Sequence, residues 1–341
     1  MKLRTLLTVA GLSIIMTTGS AMAKGRLVVY CSNEPNACQT AVDLFGKKND
    51  VKVQMTRSGS GSTYAKILAE KDNPKGDVWY AGTLDPHSQA GVNGLLEAYE
   101  SPVLPEIGEA FKNPATNKKH MTTGVYAGVL GYSVNTKLLA EKNLPMPQSW
   151  ADLTKPEYKG LVQVASPQSS GTAYTALATL VQIWGEDDAF AYLAKLHMNV
   201  GQYTKSGSAP GKAAARGETL IGIGFLHDHA KQIKNGFPLE LVVPTEGTGY
   251  EIGGLSIIKG ARNLENAKKF VDFMLSKEGQ EIGGTIDMFQ VPTNVTAAVP
   301  KEAIRLEDVN LIEYDFVKYG TEEMRSHLID RWAKEVKPLK R

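Results

Sequence analysis

The sequence predicts an α/β fold arranged as two lobes with a ligand cleft between them. Three observations predict it. Residues 27–81 alternate strand-like and helix-like runs in the order β-α-β-α-β, which implies a parallel sheet flanked by helices. A second αβ set starts at Leu161. Between and beyond these sets lies Ile221-Gly222-Ile223-Gly224-Phe225-Leu226-His227-Asp228-His229-Ala230, an apolar strand that ends abruptly in ionisable residues. The C-terminal end of a buried strand is where open α/β sheets hold their ligands. The bland alternative is a strand-to-helix connection in which His227 and Asp228 act as local caps.

In chain order, Leu27 to Tyr30 reads as a short buried strand, and Ser32-Asn33-Glu34-Pro35 opens a helix to about Lys48. Pro35 suits its first turn. Val51 to Thr56 alternates apolar and polar residues as a second strand. Ser58-Gly59-Ser60-Gly61-Ser62 leads into a helix over Thr63 to Lys71, and Gly76 to Ala81 is a third strand. A segment rich in Gly, Pro and Asn follows from Pro86 to Lys119. Thr122 to Val134 is strand-like again, Asn135-Thr136 caps the next helix, and Pro145 to Lys159 is a turn-rich connection. In the second set a strand ends at Ala165, and Ser166 to Thr172 leads into a helix over Ala173 to Trp184. Ser206 to Gly211 leads into Lys212 to Arg216. The strand at Ile221 is followed by a short amphipathic helix over Ala230 to Gly236 and by strands over Glu240 to Pro244 and Gly253 to Lys259. Ala267 to Leu275 is a helix with Phe270, Val271, Phe273 and Met274 on its apolar face, and Glu302 to Lys340 closes the chain with charged helical segments. Two strand crossings, near Thr122 to Tyr132 and Val243 to Leu255, divide the chain into residues 24–130 with 250–300 and residues 131–249 with 301–341.

The first 23 residues read as a secretory leader. Lys2 and Arg4 precede a mostly apolar run over Thr5 to Thr18, and Ala21-Met22-Ala23 is a small-residue cleavage signal. About 318 of the 341 residues remain, enough for two domains of ordinary size. Removing Lys2 and Arg4 from the 38 basic residues leaves 36, matching the 36 acidic ones. A chain of zero net charge is not built for broad binding to nucleic acid or anionic membranes. Any anion must be held by local geometry. Cys31 and Cys38 are the two cysteines, and export lets them pair across a small loop. Such a bridge would fix the turn between the first strand and the first helix.

Three Ser/Gly stretches each precede a helix: Ser58, Gly59 and Ser60 in the first, Ser169, Ser170, Gly171 and Thr172 in the second, Ser206 in the third. A helix start offers unpaired N–H groups and partial positive charge. Glycine admits close approach and hydroxyls add donors, which suits phosphate or carboxylate without a basic surface. Any one stretch alone reads as an ordinary N-cap; three in both lobes favour anion binding. His227, Asp228 and Glu251 form a second group, with carboxylates to accept from sugar hydroxyls and a histidine to meet a phosphate or hydroxyl. Glu251 lies in the Gly-rich run 247–254, where a solvated loop acid is the alternative. Glu34 and Trp79 complete the candidate set; Trp79 and Tyr80, ending the third strand, either floor a pocket or sit in the core.

Enzyme signatures are missing from the sequence: no Gly-x-Ser-x-Gly elbow, phosphate-loop Gly-Lys-Ser/Thr, His-Glu-x-x-His or Cys-x-x-Cys occurs. Tyr64 stands where a dinucleotide fingerprint needs its third glycine. No metal site and no cofactor is expected.

Leu27-Val28-Val29-Tyr30, Gly76-Asp77-Val78-Trp79-Tyr80 and the run from Asn266 to Glu281 resemble the periplasmic substrate-binding proteins of ABC importers that are similar to ferric-ion-binding proteins. The resemblance covers nearly the whole mature chain. It implies the two-lobed periplasmic binding protein fold, a flytrap of two mixed sheets flanked by helices that closes on its ligand. It also implies an inner-membrane permease with its ATPase as partners, a periplasmic location and a monomer. The ferric branch places adjacent tyrosines where this chain has Leu226 and His227, and an acid where it has Ala81-Gly82. The pair His227-Asp228 with Glu251 instead looks like the AfuA-type branch that binds hexose phosphates. On that basis those three residues are expected to hold a sugar phosphate such as glucose 6-phosphate, with a ferric or phosphonate receptor as the alternative and an exported phosphatase as the competing class.

Overall fold

The computed structural model describes residues 25–114 and 120–340; the expected leader, residues 1–23, lies outside them. Its strands are β1 (Arg26–Cys31), β2 (Lys52–Arg57), β3 (Val78–Thr83), β4 (Leu96–Glu97), β5 (Thr123–Asn135), β6 (Val162–Ala165), β7 (Val200–Thr204), β8 (Ile221–Phe225), β9 (Leu239–Val242), β10 (Tyr250–Ile258) and β11 (Val291–Pro292). They run in the order β2-β1-β3-β10-β5-β8-β6-β7, with β4 on β10 and both β9 and β11 on β5. β1 pairs in parallel with β2 and β3, and β6 pairs in parallel with β7 and β8. β5 and β10 pair antiparallel with their neighbours.

β5 ties the two strand sets together. Residues Thr123 to Val129 pair with β10, whereas Leu130 to Asn135 pair with β8 and β9. Every residue of β5 is buried, as a strand covered on both faces must be.

Each set has its own core. On the β1–β3 side, Phe45 of the helix Pro35–Asn49 meets Phe270 of the helix Leu264–Leu275 edge-on, with ring centroids 5.1 Å apart. Burying each such ring is worth roughly 1.5–3 kcal/mol. On the β6–β8 side, Trp150, Tyr174 and Trp332 are buried together. Trp332 comes from the last helix, Glu322–Glu335, so the C-terminus packs on the second core.

Several expected boundaries shift. The helices after the Ser/Gly stretches begin earlier than expected, at Ser60, Gly171 and Ala209, because serine, glycine and proline are good first-turn residues. The helix after β8 starts at Leu226, not Ala230, so His227 and Asp228 occupy its first turn instead of the strand end. Glu251 is not a loop acid: it is a buried residue of β10. The helix Glu186–Asn199 and β7 fall in a stretch the sequence reading left unassigned. Ala189, Phe190, Leu193 and Leu196 carry the helical spacing there, and three acids fill its first turn.

Candidate functional site

The cleft lies where β3, β5, β8 and β10 meet the helix starts, and it encloses about 260 Å³. Of the expected residues, Glu34, Gly59, Ser60, Ser169, Ser170, Gly171, Thr172, Ser206, His227, Asp228 and Glu251 all line it. Two do not. Ser58 turns to Thr63 (2.7 Å) behind the cleft wall. Trp79 is fully buried and stacked on His87, so it is core and no ligand contact. A strand buried on both faces gives its aromatic residue the interior, which decides between the two readings of Trp79.

The lining falls into two groups. In the first, His227 Nε2 lies 3.7 Å from Asp228 Oδ1 and 3.6 Å from Glu251 Oε1. Gly128 on β5 makes room for the imidazole: a Cβ there would sit 2.4 Å from His227 Nδ1. Tyr126 meets the same ring edge-on, and its hydroxyl accepts from the Gly82 N–H at 3.2 Å. Burial lowers the pKa of His227 to about 3 and raises that of Asp228 to about 7. Burial, and then the Asp228 charge, push Glu251 well above the usual range. With a neutral imidazole the His227–Glu251 contact is not an ion pair. The imidazole is neutral at ordinary pH, and its buried Nδ1 has no hydrogen-bond partner in the protein.

The second group surrounds the starts of the helices Ser60–Ala69 and Gly171–Trp184. The first bond of the former runs from Thr63 N to Gly59 O, so the preceding N–H groups have no intrahelical partner. Ser170 caps the latter by accepting from Ala173 N. Glycines let the parts converge. A Cβ at Gly82 would strike Ser60 and Ser32, one at Gly171 would strike Thr83, and one at Gly207 would strike Thr172. Arg57 and Lys205 add positive charge to the lining. Convergent helix starts, hydroxyls and two cations suit an anion.

Glu34 lines the cleft and also spans it. It stands at the start of the first helix, on the β1–β3 side, and reaches across to Ser208 Oγ (2.6 Å) and Lys212 Nζ (2.7 Å) on the β6–β8 side. Burial opposes its ionisation, yet the bonds from Lys212 and Ser208 hold its carboxyl below the usual range.

Sequence reading missed Ser32, Asn33, Arg57, Thr83, Tyr126 and Gln290 in the lining. Ser32 and Asn33 follow β1, and Thr83 ends β3. The rule that ligands sit beyond strand ends could have found these three. Gln290 had no local signal; the fold brings it within 3.5 Å of His227 and of Asn33.

Cys31 and Cys38 are bonded, joining the end of β1 to the first helix. Among the described residues, no group of three or more His, Cys, Asp and Glu is placed to hold a metal, and no helix is long and apolar enough to cross a membrane.

Residues 77–319 match the family model described as bacterial extracellular solute-binding protein. Over 338 residues the chain is 55% identical to an uncharacterised protein of Haemophilus influenzae, covering 98% of this chain and 97% of that one. The structure superposes with a TM-score of 0.91 on the periplasmic binding protein AfuA from Actinobacillus pleuropneumoniae with exogenous fructose 6-phosphate bound, at 56% identity over 93% of this chain and 100% of that one. It superposes on the periplasmic binding protein P5PA with a TM-score of 0.88, at 43% identity over 92% of this chain and 100% of that one.

Proposed function

The chain belongs to the family of bacterial extracellular solute-binding proteins of the ABC-importer type, and on that premise we propose that its ligand is a hexose phosphate, captured in the periplasm and delivered to the membrane permease. The protein is a transport component, not an enzyme, as its periplasmic binding-protein neighbours are. One observation carries the ligand reading: a single cleft combines convergent helix starts with a separate carboxyl group made of Asp228 and Glu251. The first suits a phosphate and the second accepts from sugar hydroxyls, as neither free sugar nor free phosphate would require. The fructose 6-phosphate in the neighbour's structure supports the same reading. Of the tyrosines among the described residues, Tyr126 alone lines the cleft, a poor match for Fe(III), which prefers phenolate and carboxylate oxygen.

The reading places the lobes at residues 24–130 with 250–300 and 131–249 with 301–341, in a monomer. The change of partner along β5 at Leu130 supports that division. Calorimetric titration with glucose 6-phosphate, fructose 6-phosphate, free fructose, 2-aminoethylphosphonate and ferric citrate tests the assignment. A hexose phosphate is expected to bind tightest, with no phosphate released on incubation. Tightest binding of iron or phosphonate, or phosphate release above a blank, would overturn it.

A further inference from the structure

Behind the cleft wall runs a chain of hydrogen bonds that begins at an indole N–H. The Trp79 indole Nε1 lies 3.0 Å from Ser32 Oγ. The indole is clamped by His87, stacked on it with centroids 3.7 Å apart and planes 18° apart. His87 is itself held, with Nε2 3.2 Å from the Ala81 carbonyl and Nδ1 2.8 Å from Ser256 Oγ. A carbonyl only accepts, so Nε2 carries the ring proton; burial keeps the ring neutral, and Nδ1 accepts from Ser256. An indole N–H only donates, so one lone pair of the Ser32 hydroxyl is always occupied. Ser32 Oγ also lies 3.1 Å from Thr63 Oγ1, which lies 2.7 Å from Ser58 Oγ. Of these residues, Ser32 alone lines the cleft, where it and Ser60 both crowd Gly82.

We infer that Trp79 is a positioning residue that makes Ser32 a donor, and not an acceptor, toward the ligand's anionic group. The inference rests on the hexose-phosphate reading above. In the proposed arrangement Trp79 occupies one lone pair and Thr63 donates to the other, which leaves Ser32 its proton for the ligand. Ser58 completes the chain by donating to Thr63. A phosphate oxygen accepts the Ser32 proton, whereas a ligand presenting its own N–H or O–H at that point meets no acceptor.

Calorimetric titration of fructose 6-phosphate and of inorganic phosphate into the full protein tests this, using Trp79→Phe, Ser32→Ala and the double variant. Because Phe leaves space, a further protein carries 3-benzothienylalanine at position 79, which keeps the bicyclic shape and replaces the N–H with sulfur. Each single change is expected to weaken binding about ten-fold. The double variant is expected to be no weaker than Ser32→Ala alone, because the second change removes a bond already broken. Losses that multiply, or a benzothienyl protein that binds like wild type, would overturn the inference. If the wild type binds phosphate but no hexose phosphate, the hexose-phosphate reading fails and the phosphate cycle still decides the role of Trp79. If it binds neither, Ser32 is no anion donor and the inference fails too.

Discussion

Asp228 is one residue through which pH acts on the cleft. Burial, and next the Glu34 charge, lift its carboxyl from 3.8 to about 7, against the opposing charges of Lys212, Lys231 and Arg57. The folded protein thus holds a proton that the unfolded chain has released. Its stabilising effect is complete below pH 4 and is lost as pH rises through about 7, by up to about 4 kcal/mol. His227 and His229 act in the opposite sense. Their pKa values fall to about 3 and about 4, so their contribution is complete above pH 6.5 and is lost as pH falls through those values. Comparison with Asp228→Asn removes the histidine effect, which both proteins share. The melting temperature of Asp228→Asn relative to wild type is expected to rise between pH 4 and pH 7.5; a difference that stays flat would contradict the burial of this carboxyl.

The residues of this group were legible because ionisable side chains after an apolar strand are conspicuous. Their protonation was not, since it depends on how deeply the fold encloses them. Glu251 shows the same limit. A glycine-rich run reads as a loop, but the glycines of β10 serve close packing: a Cβ at Gly253 would strike Tyr126, and one at Gly254 would strike His87.

At the scale of elements, two features await measurement. The Glu34 contacts to Ser208 and Lys212 join the start of the first helix to the helix Ala209–Ala215 across the cleft rim. These bonds hold the two sides of the cleft together. Glu34→Gln is therefore expected to weaken sugar-phosphate binding by about three- to ten-fold, through faster dissociation. Stopped-flow dissociation that leaves the rate unchanged would remove Glu34 from closure. The second feature is the bridge from Cys31 to Cys38, which pins β1 to the first helix over a separation of seven residues. Replacing both with serine is expected to cost about 2 kcal/mol by the loop-entropy relation, measurable by urea unfolding; an unchanged midpoint would show that the bridge constrains nothing. The cysteine pair could be read from the chain together with its expected export. The cross-rim bonds could not, because Glu34 and Lys212 are remote in sequence and only the fold brings them together.

At the scale of the molecule, the alternation of strands and helices was enough to predict two αβ sets. The way β5 changes partners at Leu130 was not legible, because one continuous apolar strand looks the same whichever neighbours it pairs with. That change sets the cleft between the sets and makes the two lining groups parts of one site. On this reading the two groups bind one ligand jointly, the helix starts holding phosphate and the carboxyls holding sugar. The most direct measurement is calorimetry of fructose 6-phosphate and inorganic phosphate on wild type, Asp228→Ala and Glu251→Ala. Each lost acceptor is worth on the order of 1–3 kcal/mol. Fructose 6-phosphate is therefore expected to bind roughly ten-fold or more weakly to either variant, with inorganic phosphate little changed. Variants that melt lower yet bind fructose 6-phosphate with near-normal affinity would contradict the claim and leave Asp228 and Glu251 as structural residues.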